Sequence, residues 1–296
     1  MSAAAQSLLN EWSPPLGLDL TLLLTFAIYL RGWFFLRRSS SSIFSLSRLC
    51  AFFAAMFFLW IALGSPLSAF DEASLTVHMV QHILLMFVVP PLALLGAPAV
   101  PLLHGPPQFF VRSVIGPVFR WTPLQRFGKF VTHPVFCWIS AAVALLAWHV
   151  PAAFELALRS DVWHEVEHLC FLTTSILFWW PVVQPYPSAV RWPRWSMPVY
   201  LFIGMLPGGA LGAFLVFCDR VVYPSYLQSP AIFAMSPLTD QTFAGALMWV
   251  LGSFVCLVPA TLIVLKLLSP TLDGQPVSHR DSAVENFPSA RATSQL

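Results

Sequence analysis

Two pairs of histidines lie four residues apart inside apolar segments of the sequence. His78 and His82 belong to "SLTVHMVQHILLMFVVPP", and His164 and His168 belong to "VWHEVEHLCF". On a helix, this spacing rotates the second side chain by only about 40° and moves it ~6 Å along the axis, so both rings of a pair can face one point. Polar groups inside a membrane span are costly and usually functional. Because neutral imidazole binds copper, zinc, iron and nickel, the two pairs predict a metal site.

Two further residues could complete such a site. His149 in "AWHVP" ends one apolar run, and Asp240 in "SPLTDQTFAGALMW" stands at the start of the last one. Met86 follows His82 by one helical turn, and its thioether would favour reduced copper. The candidate metal ligands are therefore His78, His82, His164, His168, His149 and Asp240. Their residue types leave the identity of the metal open.

The composition is that of a polytopic membrane protein. Of 296 residues, 57% are hydrophobic and 9% are charged, and the mean hydropathy is +0.74, whereas about 25% of an ordinary soluble domain is charged. The formal net charge of +2 is too small to indicate a nucleic-acid partner, so membrane lipid is the expected surrounding. The five cysteines form no C-x-x-C pair, which argues against a disulfide framework and a thiolate metal site.

Apolar runs of about the 20 residues needed to cross the hydrocarbon core occur seven times. We therefore predict an all-α integral membrane protein folded as a seven-transmembrane helix bundle. The bundle is a single domain, residues 1–268, and the Ser-, Pro- and charge-rich tail, residues 269–296, is predicted to be disordered. The predicted spans are residues 17–36, 48–64, 74–95, 133–150, 162–183, 196–217 and 243–268.

Basic residues predict the orientation of this bundle. With seven spans, 13 of the 15 Lys and Arg residues fall on one side of the membrane, and only Arg159 and Arg220 fall on the other. Cytoplasmic loops carry the excess of basic residues. We therefore expect the N-terminus outside and the C-terminus in the cytoplasm. The histidine-bearing helix ends then belong to the extracytoplasmic side.

A peptidase is disfavoured by the same topology. "HEVEH" matches the H-E-x-x-H pattern of zinc peptidases, and "LDG" at 272–274 is similar to the second motif of intramembrane metalloproteases. The first motif opens span five outside and the second follows span seven in the cytoplasm, so the ~30 Å hydrocarbon core separates them. We accordingly predict that the protein is not an enzyme.

A haem-binding membrane electron carrier is the alternative function that the residues leave open. One His of span three and one of span five could ligate a haem from opposite faces, as helical bundles do. A transporter is disfavoured, because the middles of spans one, two and seven are almost free of ionisable groups.

The chain resembles the CtaG family of bacterial cytochrome c oxidase assembly factors, which are seven-span membrane proteins. The resemblance covers about residues 60–268 and is carried by "SPLSAF", "HMVQHILLMFVVPPLALLGAP", "HPVFCW", "WHVPAAFELAL", "HEVEHLCFLTTSILFWWPVV" and "SPLTDQTFAGALMW". The family pattern has His164, Glu167 and His168, whereas Glu165 stands outside it.

The resemblance implies a role in producing an active oxidase. It implies cytochrome c oxidase subunits as partners, the bacterial cell (inner) membrane as the location, and handling or delivery of copper on the extracytoplasmic side. The sequence leaves open which oxidase is served and the oligomeric state.

Overall fold

The computed structural model describes residues 3–39, 43–107, 109, 111, 113, 116–188, 192–229 and 235–269, and within these ranges it contains helices and no strand. The predicted disordered tail lies outside the described residues apart from Ser269. In chain order the helices are α1 (Ala3–Glu11), α2 (Leu16–Ser39), α3 (Leu46–Leu63), α4 (Leu75–Ile83), α5 (Val89–Leu95), α6 (Ala99–His104), α7 (Gly116–Arg120), α8 (Thr122–Val131), α9 (Pro134–Trp148), α10 (Pro151–Leu158), α11 (Asp161–Val183), α12 (Met197–Phe217) and α13 (Pro237–Leu268).

Six helical stretches are long and apolar enough to cross a membrane, and the fourth predicted span is the exception. That span falls on α9, which has 15 residues and is therefore ~22 Å long, shorter than the ~30 Å hydrocarbon core. It follows α8 after a bend of 67°, and the two helices together would make a seventh span. The chain therefore has six or seven candidate spans, depending on how this bent pair is counted.

The third span, which contains α4 and α5, is the centre of the bundle. In its most apolar stretch 61% of the residues are buried, against 39% or less in the other five. It packs against α3, α11 and α13. A π-helical turn, Leu84–Val88, joins α4 to α5, whose second and third residues are Pro90 and Pro91. Proline has no backbone N–H, so Pro90 cannot donate the usual helical hydrogen bond to the carbonyl of Met86, four residues earlier. The indole Nε1 of Trp179 on α11 donates to that carbonyl at 3.1 Å.

Asp240, predicted above as a metal ligand, caps the N-terminus of α4. Its carboxylate accepts hydrogen bonds from the backbone N–H of Leu75 at 2.7 Å, from that of Thr76 at 3.2 Å, and from the hydroxyl of Ser74 at 3.0 Å. A carboxylate at this position satisfies free N–H groups and complements the helix dipole. The contact fixes the start of α13 against the start of the central span.

Helices α12 and α13 approach each other most closely at Gly212 and Gly245. A Cβ on either glycine would lie 2.7 Å from the backbone oxygen of the other, so only glycine permits this separation. Small residues commonly allow such backbone contacts between membrane helices. The close contact holds the last two spans together beside the central one.

Replacing Asp240 by Ala should lower the free energy of unfolding by about 2 kcal/mol, because two backbone N–H groups and a hydroxyl lose a buried charged acceptor. Thermal unfolding of the detergent-purified protein measures this loss. Asp219→Ala, which removes an exposed carboxylate after α12, is the matched control. Equal melting temperatures for the two variants would contradict the capping role.

Gly212→Ala should destabilise the bundle by about 1–3 kcal/mol, because the added methyl group overlaps the α13 backbone. Gly209→Ala on the same helix is the control, since its Cβ would lie 3.7 Å from the nearest atom, a ring carbon of Trp249. The same unfolding measurement applies, and a loss of stability in Gly209→Ala as large as in Gly212→Ala would refute a specific contact.

Candidate metal centre

A carboxylate and two imidazoles meet inside the bundle. Glu167 on α11 lies opposite His78 and His82 on α4, and the three side chains are between 0% and 2% exposed. The distance from His78 Nε2 to Glu167 Oε2 is 3.9 Å, and that from His82 Nε2 to Glu167 Oε1 is 3.8 Å. One potential ligand atom from each residue lies within 4.8 Å of the others. We call these three residues the inner triad.

Three more histidines surround the inner triad. The ring of His164 stacks on that of His78 with centroids 5.3 Å apart, and the ring of His168 lies 5.7 Å from that of His82. These contacts follow from the i, i+4 spacing, which presents both rings of each pair to the opposite helix. The structure therefore brings both predicted pairs into one cluster.

His149 approaches the cluster from the end of α9. Its ring centroid is 5.9 Å from that of His82. Its Nδ1 lies 2.8 Å from the carbonyl oxygen of Leu145, and because a carbonyl can only accept, Nδ1 carries the proton. The lone pair of His149 Nε2 is therefore free to bind a metal ion.

Most polar atoms of this cluster are buried without hydrogen bonds. In the described part of the chain, twelve buried side-chain nitrogen and oxygen atoms lack a hydrogen-bond partner, and nine of them belong to the inner triad, His149, His164 and His168. Such atoms are rare in native proteins, and bound water, a bound ion or a functional role accounts for them. Nine potential metal-ligand atoms of the cluster thus have no hydrogen-bond partner in the protein.

Gln241 and Asp240, which lie in the same layer, do make hydrogen bonds within the protein. The Nε2 of Gln241 donates to the carbonyls of Leu215 and Arg220, and its Oε1 accepts from the backbone N–H of Val222. Asp240 is the α4 cap. These residues stabilise the fold, and Asp240 does not join the six-residue cluster.

Aromatic residues close one side of the cluster. Phe154 on α10 is fully buried, lies 5.0 Å from the His78 ring and stacks on Tyr223 at 3.9 Å. The hydroxyl of Tyr223 donates to the carbonyl of His149, and that of Tyr226 donates to the carbonyl of Asp71. Phe154, Tyr223 and Tyr226 form what we call the aromatic lid.

Asp71 lies in the turn between α3 and α4, next to Tyr226 of the aromatic lid. Its Oδ2 is 3.9 Å from Nε2 of His164, and its Oδ1 accepts from the backbone N–H of Glu72 at 2.7 Å. Burial raises the pKa of the Asp71 carboxyl to about 7. A cation nearby would favour the charged form.

The inner triad fits a metal ion in its donor atoms and nearly in its spacing. Atoms bound at 2.0–2.2 Å to one metal ion can be at most about 4.4 Å apart, so the largest separations would need to contract by about half an ångström. Two imidazoles and one carboxylate are common ligands of copper and zinc. Sequence reasoning left Glu167 out of the ligand set, although a carboxylate one residue before His168 on the same helical stripe was a visible signal.

Comparison with known proteins agrees with the resemblance found in the sequence. The model of the family described as cytochrome c oxidase caa3 assembly factor (CtaG) matches residues 27–269. Uncharacterized proteins of Mycobacterium bovis and Mycobacterium tuberculosis are each 24% identical over 251 residues, 81% of this chain and 36% of the relative. One of Mycobacterium leprae is 23% identical over 224 residues, 75% of this chain and 34% of the relative.

This chain thus spans about a third of the length of the curated relatives that it matches. No solved structure matches it. The family match covers more than half of the sequence and contains every residue of the cluster, from His78 to His168. The chain belongs to the CtaG family of cytochrome c oxidase caa3 assembly factors.

Proposed function

We propose that the protein takes part in cytochrome c oxidase assembly by holding a copper ion at the inner triad and delivering it to an oxidase subunit. The observation that carries this proposal is the concentration of nine unpartnered polar atoms in one buried cluster. A buried carboxylate without hydrogen bonds is strongly destabilised unless a cation or a donor neutralises it. A metal ion at the triad would satisfy Glu167 and both imidazoles at once.

The donor set suits temporary binding of copper. Copper(II) binds nitrogen and oxygen ligands more tightly than the other common divalent metals do. The triad supplies three ligands, and the ring centroids of His149, His164 and His168 lie 5.3–5.9 Å from those of His78 or His82. An ion at the triad can therefore exchange one imidazole for another without a fully uncoordinated state. Such exchange favours release to a partner over permanent storage.

The packing favours a metal ion over the haem alternative. A haem needs its flat macrocycle between two axial imidazoles. The His78 and His164 rings instead stack at 5.3 Å with an interplanar angle of 21°, and Phe154 packs against His78. The His78 and His164 rings therefore leave no room for a porphyrin between them.

We further propose that the cluster faces the extracytoplasmic side of the bacterial inner membrane. The starts of α4, α11 and α13 lie at the end of the bundle that carries the cluster, and the basic loops predicted to be cytoplasmic lie at the opposite ends of these helices. The positive-inside rule supports this orientation. Copper would then be transferred outside the cytoplasm.

Glu167→Gln and His78→Ala should each weaken copper binding at least tenfold, since each removes one of three ligands. Bound copper is measured by mass spectrometry after the detergent-purified protein has been loaded with copper and desalted. His104→Ala, at an exposed histidine outside the cluster, is the matched control and should bind like the unaltered protein.

The unaltered protein and the triad variants, purified or expressed in cells, distinguish three functions. Copper retained by the unaltered protein and lost in the two triad variants supports delivery. A Soret band in purified protein would support the haem carrier. Oxidase assembly that proceeds normally in cells carrying Glu167→Gln would refute the role of the triad and leave a scaffolding function for the bundle.

Fusions to alkaline phosphatase, which is active only outside the cytoplasm, test the orientation. A fusion after Ser269 should be inactive, and a fusion after Asp219, at the cluster end of α12, should be active. The reverse pattern would place the cluster on the cytoplasmic side and contradict extracytoplasmic copper transfer.

A further inference from the structure

An open cavity leads from the surface toward the cluster of five histidines and Glu167. Its walls come from the chain before and within α2, from the turn between α3 and α4, and from the first turns of α11. We call it the vestibule. Its polar lining includes Asp71, Glu72, Asp161, His164, Glu165 and His168.

The inner triad does not line the vestibule. His78, His82 and Glu167 are almost completely buried, whereas His164 and His168 belong to the vestibule wall and also contact the His78 and His82 rings. An ion that moves from the vestibule to the inner triad therefore has to pass His164 and His168.

The charge of the vestibule is of one sign. Four carboxylates, those of Asp71, Glu72, Asp161 and Glu165, line it, and its described lining residues include no Lys or Arg. A cleft lined by one sign of charge concentrates counter-ions and raises association rates by about 10- to 1,000-fold. The vestibule thus favours cations over anions.

One carboxylate and one imidazole in the vestibule are arranged as a pair without a hydrogen bond. Asp71 Oδ2 and His164 Nε2 are 3.9 Å apart. His164 Nε2 has no hydrogen-bond partner, and neither does His168 Nε2, although the His168 side chain is less than one-tenth exposed. Two donor atoms at this distance can share a metal ion whose other ligands are water, since open sites keep exchangeable positions.

We propose that Asp71 and His164 form an outer copper site through which the ion enters on its way to the inner triad. This inference rests on the proposed copper function. The ion first binds Asp71 and His164 together with water, then takes His168 and His78 as ligands, and finally reaches Glu167 and His82. The copper ion keeps its oxidation state throughout, and each step exchanges one ligand for another.

Asp71→Asn is a conservative test of the outer site. The amide oxygen can still accept the hydrogen bond from the Glu72 backbone N–H, and the Tyr226 hydroxyl donates to the Asp71 backbone carbonyl, which the substitution does not change. His164→Gln removes the other ligand from a different element. The exposed Asp219, placed outside the vestibule lining, provides the control Asp219→Asn.

The experiment measures how fast copper becomes protected. Detergent-purified full-length protein is mixed with copper(II) sulfate, quenched with EDTA after defined times and desalted, and the retained copper is counted. We expect Asp71→Asn and His164→Gln each to slow the appearance of protected copper about tenfold while the final amount, set by the inner triad, is still reached. The double variant should be no slower than the slower single variant, because the two residues act as one site. Asp219→Asn should load at the normal rate.

The outcomes separate the two proposals. Loss of copper in Glu167→Gln together with loading rates of Asp71→Asn and His164→Gln within twofold of the unaltered protein would overturn the outer site and leave the inner triad standing. Full copper retention in Glu167→Gln would overturn the proposed copper function and the outer site with it.

Discussion

The arrangement at the cluster end of the bundle depends on one constraint, the burial of the Glu167 carboxylate between the imidazoles of His78 and His82. None of these three side chains makes a hydrogen bond through the nitrogen and oxygen atoms that face each other. The nearest approach is 3.8 Å, which is too long for a hydrogen bond. Moving an ionised carboxylate from water into an apolar interior costs at least several kcal/mol even after relaxation. The penalty is avoided when the carboxyl is protonated or when a cation lies between Glu167 and the imidazoles, as in the proposed metal site.

The surrounding structure keeps these donor atoms in place when they have no protein partners. The central span is held at its start by Asp240, and near its middle by the hydrogen bond from Trp179 to the Met86 carbonyl. The Gly212 and Gly245 contact holds α12 against α13. All three interactions are made between groups of the protein itself and need no ligand. Rigidity is thus supplied by bonded residues, and binding capacity by unbonded ones.

The sequence predicted the all-helical membrane fold and the meeting of the two histidine pairs, because i, i+4 spacing is a local property that helix geometry converts directly into a shared face. The CtaG resemblance is confirmed by the family match. Three features of the structure could not be predicted from local sequence spacing. The capping role of Asp240 depends on a contact with a residue 165 positions away, the shortness of α9 depends on where the chain bends, and the division between bonded and unbonded polar groups appears only when the helices are packed.

The contrast between Gln241 and the histidines shows how packing separates structural from functional polar residues. Gln241 and His78 are both fully buried polar side chains in the same layer, and composition or hydropathy treats them alike. Gln241 makes three hydrogen bonds to backbone groups, whereas both ring nitrogens of His78 make none. A buried polar group that is fully bonded is already paired, so it has little left with which to bind a ligand. The unbonded cluster retains that capacity, and His164 and His168 belong both to it and to the vestibule wall.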